Sequence, residues 1–132
     1  MAAAQVATML RTEYPYNQKY RTMVQDAWMS AGLAFQKKGL ADSAIFCFDR
    51  VLKDNRTDSL AYSNKINLLM AKGDFVDALQ SVDTALQHFE YAEPFLLKKV
   101  IVLDSLGRFV EAAHLADTLS KRFDLRKHRE YA

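Results

Sequence analysis

The sequence predicts an all-α protein assembled from three copies of one helix pair, on three observations. Helix breakers are rare, with four glycines and two prolines in 132 residues, and outright breaking is confined to Pro15 and Pro94. Apolar residues recur at three- and four-residue steps almost throughout, and no stretch of five or more alternates cleanly with period two. Finally, Gly39, Gly73 and Gly107 are separated by 34 residues, twice in succession, and Ala44, Ala78 and Ala112 keep that spacing, as do Ala41, Phe75 and Phe109. The segments "KKGLADSA", "AKGDFVDA" and "SLGRFVEA" therefore align without a gap. Agreement of three columns over three copies marks an internal repeat.

The elements follow in order. Residues 3–13 are expected to form a short leading helix, and 18–38 with 41–54 the first pair. The second pair is 58–72 and 75–89. Leu60, Ala61, Ile66, Leu69 and Met70 support its first helix, and Phe75, Ala78, Leu79, Val82, Ala85, Leu86 and Phe89 make a broad stripe on its second. Thr57 or Asp58 is placed to cap residues 58–72, and Asn55 to end the helix before it. The third pair is 92–106 and 109–122, followed by a frayed or short helical tail, 123–132. The stripe Phe109, Ala112, Ala113, Leu115, Ala116, Leu119 and Phe123 is wide for a terminal helix. The tail is therefore expected to fold back over it, or a second subunit to cover it.

Each repeated column has a physical reason. The glycine sits between two helical patterns, where the first helix ends and the chain reverses through a left-handed conformation that is cheap only for glycine. The alanine lies one turn into the next helix, where a small side chain lets two helices approach closely. Phe75 and Phe109, two residues after their glycines, are positioned to plug the pair. Asp42, Asp77 and Glu111 put negative charge in the first turn of each second helix, which suits its dipole.

The run Trp28-x-x-Ala31-Gly32-x-x-Phe35, followed by Ala44-x-x-x-Phe48, resembles the tetratricopeptide repeat pattern W-x-x-L-G-x-x-Y…A-x-x-x-F. The second copy has Tyr62, Lys65, Ile66 and Leu69 at the first four positions, and the third has Leu96, Lys99, Val100 and Leu103. Neither keeps the helix-interior glycine, and Arg56, Glu90 and Asp124 replace the closing proline. The resemblance implies a right-handed α-solenoid of three helix-turn-helix repeats at 25–58, 59–92 and 93–124. An N-terminal extension, 1–24, merges into the first helix, and a C-terminal tail spans 125–132. It also implies that the stacked first helices line a concave groove for a peptide or a partner helix.

Composition narrows the chemistry. Half the residues are hydrophobic, about a quarter are charged and the net charge is +2, too small a surplus to imply nucleic acid or an anionic membrane. No apolar run reaches the roughly 18–20 residues of a membrane span. The start, "MAAAQVATML", lacks a basic n-region and a clear apolar h-region, so no signal peptide is read. The default compartment is the cytoplasm, with an exported mature domain as the alternative. The lone Cys47 rules out an internal disulfide framework. It reads as a semi-buried structural thiol rather than a nucleophile, having no His or basic neighbour in sequence. His88, His114 and His128 are far apart and no Cys/His cluster accompanies them, so no metal is expected. All four glycines are used in turns or helix packing, and none remains for a phosphate-cradling loop. No cofactor and no catalytic residue are predicted. The basic tail "SKRFDLRKHREYA", with Lys121, Arg122, Arg126, Lys127 and Arg129 against Asp124 and Glu130, reads as a solvated helix end; Phe123 and Tyr131 are isolated, so it lacks the aromatic interleaving that stacks bases.

The informative surface is the groove the resemblance implies. Its lining in this register is Met29, Leu33 and Gln36, then Leu60, Asn64, Asn67 and Met70 with Ser63, then Leu97, Lys98 and Ile101 with Asp104. One subfamily grips acidic C-terminal tails of chaperones with a two-carboxylate clamp of five Lys, Arg and Asn side chains. Only Asn64 and Lys98 match it, while Met29, Leu33 and Pro94 hold the other three places, so the clamp is read as absent. What remains is apolar and suits an apolar peptide, a partner helix or a second copy. The competing reading is that residues 3–13 or inter-repeat packing cover most of it. The expected function is a non-catalytic protein-interaction module, a scaffold or adaptor. The alternatives are a structural homo-oligomer and an accessory subunit of a secretion or enzyme assembly.

Overall fold

A computed structural model describes residues 2–13, 17–89 and 92–131, with the side chains of Ala2, Arg11 and residues 123–131 outside that description. The expectations placed on Pro15, Glu90 and the tail side chains from Phe123 to Tyr131 thus fall outside the described residues. The protein is all-α: the described residues form α1 (Ala2–Glu13), α2 (Gln18–Lys37), α3 (Ala41–Asp54), α4 (Ser59–Lys72), α5 (Phe75–His88), α6 (Glu93–Ser105) and α7 (Phe109–Tyr131), with no strand. No helix among them is long and apolar enough to cross a membrane.

The turns carry the 34-residue spacing. Gly39, Gly73 and Gly107 have φ of 77°, 80° and 78°, the left-handed region that side chains disfavour. Around Gly39, the Leu40 N–H donates to the Phe35 carbonyl at 2.9 Å and the Gly39 N–H to the Gln36 carbonyl at 3.1 Å. Arg108 to Leu103 and Gly107 to Asp104 repeat both bonds at 2.9 and 3.0 Å. This double closure satisfies the last carbonyls of α2 and α6. Asp58 caps α4, its Oδ1 accepting from the Ala61 N–H at 3.0 Å. Asn55 ends α3 in an extended conformation and accepts from the Thr57 N–H at 3.2 Å, steering the chain into that cap.

The chain divides into two compact units, Met1–Lys72 and Gly73–Ala132. In the first, α1 packs on α2, α2 on α3, and α3 on α4. Its core joins Ala4, Ala7, Val24, Trp28, Cys47, Val51 and Ala61. Trp28 lies edge-on to Phe46 with ring centroids 5.9 Å apart, and the Arg50 guanidinium sits 5.3 Å over its ring. Gly32 is buried because Phe48 fills the space its side chain would take: a Cβ there would lie 2.7 Å from the ring. On the outer junction, Lys65 of α4 bonds Asp49 of α3 at 2.5 Å, and Lys72 bonds Asp42.

In the second unit, α5 packs on α6 and α6 on α7. Lys99 of α6 bonds Asp83 of α5 at 2.8 Å, each 34 residues on from Lys65 and Asp49. Phe89 and Phe95 stack with centroids 5.8 Å apart. The Arg108 guanidinium clasps the Glu111 carboxylate at 2.8 and 2.6 Å and pulls that carboxyl below its ordinary pKa.

Two expectations need correction here. Phe109 is not a plug, since it is 63% exposed. Among the described side chains of α7, Ala112 and Leu119 are the buried ones, and at about 100° per residue Phe109 stands roughly a quarter-turn from their line. Nor does the tail fold back, because α7 continues without a break to Tyr131. The stripe it was to cover is milder than it looked: Leu115 is half-buried, and the exposed members among the described side chains are Phe109, Ala113 and Ala116.

Candidate functional site

The residues expected to line a groove fall into both units. Unit 1 carries Met29, Leu33 and Gln36 on α2 and Leu60, Asn64, Asn67 and Met70 on α4; unit 2 carries Leu97, Lys98 and Ile101 on α6. Their helices are positioned by buried opposite faces: Val24, Trp28 and Gly32 on α2, Ala61, Tyr62, Ile66 and Leu69 on α4, and Phe95, Val102 and Leu103 on α6.

Leucine and isoleucine are the prominent members. Leu33, Leu60, Leu97 and Ile101 are 44%, 54%, 47% and 52% exposed. On α6, Leu97 and Ile101 are one turn apart on one face, with half-buried Lys98 beside them and exposed Asp104 further along. α1 therefore does not cover Leu33. Met29 is half-buried against the unit 1 core, so it supports the surface more than it forms it. Met70, Ser63 and Asn64 are half-buried, and Asn67 is exposed.

Two polar atoms in this set are orphaned. Gln36 Oε1 and Asn64 Nδ2 are buried and make no hydrogen bond among the described residues. Burying such a group unpaired costs about 1–3 kcal/mol. Sequence reading placed both residues in a groove but had no means of seeing that one polar atom of each is shut away from solvent.

Cys47 is fully buried, and burial pushes its thiol above the ordinary value, disfavouring the thiolate. His88 and His114 are both exposed. Among the described residues no group of three His, Cys, Asp or Glu side chains is arranged to hold a metal ion.

A feature the sequence reading missed lies between α1 and α2: an open groove of ≈680 Å³, floored by Ala3, Ala4, Ala27 and Ala31, with Lys19 and Asp26 among its lining residues. The signal was present in the repeat columns, since Ala31 occupies the place of Lys65 and Lys99. No protein-family model matches the chain, and no curated protein matches it.

Proposed function

We propose that the chain is a non-catalytic protein-interaction module of the tetratricopeptide-repeat type, which holds an apolar peptide or an amphipathic helix against the outer faces of its first helices. The observation that carries this reading is the exposure of Leu33, Leu60, Leu97 and Ile101 on helices whose opposite faces are fully packed. Each unit offers its own stretch of this surface. Large aliphatic side chains one turn apart on one face, such as Leu97 and Ile101, gain from burial against an apolar partner, whereas singly scattered ones do not need explanation. The repeat assignment is supported by the left-handed glycines and by the Lys65–Asp49 and Lys99–Asp83 bonds, all at the 34-residue spacing.

The test is affinity purification of the tagged chain from its native cells, comparing wild type with Leu33→Glu and with Ile101→Glu. Both positions are exposed, so helical circular dichroism should be unchanged. Proteins held by wild type should be lost from one or both glutamate variants, each buried aliphatic contributing very roughly 1–2 kcal/mol before ordering costs. Lys98→Ala should weaken capture only mildly. Capture that survives both glutamates and vanishes on Lys98→Ala would show that charge recognition governs this surface.

A further inference from the structure

The groove between α1 and α2 has a cause in the repeat columns. At each later junction, the first helix carries a lysine that reaches the aspartate of the helix before it: Lys65 to Asp49 at 2.5 Å and Lys99 to Asp83 at 2.8 Å. At the first junction both halves of the pair are missing. Ala31 stands in the lysine column, and the only acidic residue of α1 is Glu13, its last. Ser30 likewise stands where Asn64 and Lys98 follow. Small side chains thus leave open a space that the later junctions fill.

The groove runs along α2 from Lys19 to Ala31, about 18 Å of helix. Asp26, seven positions before Leu33, shares that residue's face, while Ala27 and Ala31 turn toward α1, so the groove adjoins the Leu33 surface along α2. Lys19 and Asp26 are both exposed. Neither makes an ion pair among the described residues. They are seven positions apart and therefore share one face, roughly 10 Å from each other. Between them lies Met23, 39% exposed.

A helix carrying an acid and a base seven positions apart on an exposed face would satisfy both charges. Among the described helices of this chain, only α2 itself has such an exposed pair. Laid antiparallel about a two-fold axis between Thr22 and Met23, Lys19 meets Asp26 of a second copy while Asp26 meets that copy's Lys19. The contact is isologous and self-complementary. The small Ala27 faces Gln18, at the start of the second copy's α2, and leaves room for it. We propose that this groove is a homodimer interface, in which α2 packs antiparallel on α2 of a second copy and two Lys19–Asp26 pairs close its ends.

Sedimentation of the full chain over a wide concentration range tests this. Wild type should pass from monomer to dimer, and high salt should weaken the association. Lys19→Asp gives one copy two acids at the interface, and Asp26→Lys gives it two bases. Each alone should weaken self-association by about tenfold or more, through like-charge contact. The two variants mixed should form a heterodimer, and the double variant Lys19→Asp with Asp26→Lys should return to within about threefold of wild type, since both pairs are restored in reverse. Ile101→Glu, on α6, should leave dimerisation unchanged, which separates this interface from that stretch of the peptide-binding surface. Three outcomes would overturn the proposal: a monomer at every concentration, a dimer indifferent to the single charge changes, or variants that fail to recombine. An indifferent monomer whose α2 groove instead binds a foreign helix would assign the site to a different partner.

Discussion

Two glycines separate the reasons a residue can be irreplaceable. At Gly73 there is space for a side chain, since nothing lies within 4 Å of a built Cβ, but φ is +80°. At Gly32 the backbone is helical, yet a Cβ would lie 2.7 Å from Phe48, whose own side chain is fully buried. Gly73→Val should therefore destabilise by roughly 1–3 kcal/mol through backbone strain alone. Gly32→Ala gains helix propensity worth up to about 1 kcal/mol but overpacks the core at about 1–3 kcal/mol, so the net should be a loss. The two are told apart by Phe48→Leu, which should relieve Gly32→Ala and leave Gly73→Val untouched in urea denaturation. A Gly32→Ala chain more stable than wild type would mean the ring yields freely. The turn glycines were legible in the sequence because left-handed backbone has a residue signature. The burial of one atom on Gln36 and one on Asn64 was not, because it depends on neighbours that the columns do not name.

At the scale of elements, one stripe on each second helix tells how junctions are made. Ile45, Asp49 and Leu52 recur at four and three residues, and so do Leu79, Asp83 and Leu86; the aspartate of each bonds a lysine of the following helix. On α7 the same register reads Ala113, Asp117 and Ser120. There Asp117 is served by Lys121 of its own helix at 3.1 Å. The large aliphatics are gone, and that face is surfaced for water, which is why it needs less cover than its apolar count suggested. A double-mutant cycle on Asp83 and Lys99 should give a coupling of about 0.2–1 kcal/mol, because both groups keep substantial solvent contact. It should shrink at high salt, whereas removing the flanking Leu79 or Leu86 should cost more and respond little to salt. A coupling near zero at low salt would reduce the lysine and aspartate columns to decoration. Helix positions were readable in advance because each has a local cause in caps, turns and apolar spacing. The α1–α2 groove was not, because an alanine in a lysine column means something only once the lysines are seen to span junctions.

For the whole molecule, the fold is organised as two compact units whose boundary falls at Gly73. Unit 1 is the part expected to fold by itself. Its core joins residues of α1, α2, α3 and α4, so every helix of the unit contributes. The Lys72–Asp42 and Lys65–Asp49 bonds tie the far end of α4 back to α3. At this size a single core supplies only about 3–5 kcal/mol, so loss of any one helix should matter. We expect a fragment of residues 1–72 to be helical and to unfold cooperatively. Trp28 is the only tryptophan and is 7% exposed, which makes its emission a report on this unit's core. Its blue-shifted fluorescence and the helical circular dichroism should disappear at one denaturant midpoint. Removing α1 by starting the fragment at residue 17 should expose Val24 and Trp28 and abolish or sharply lower that midpoint, since Ala4 and Ala7, 2% and 1% exposed, pack into the same core. A fragment 1–72 with the spectrum of an unfolded chain would show that the unit does not stand by itself. One that is indifferent to the loss of α1 would show that the first helix is an appendage rather than a structural wall of the core.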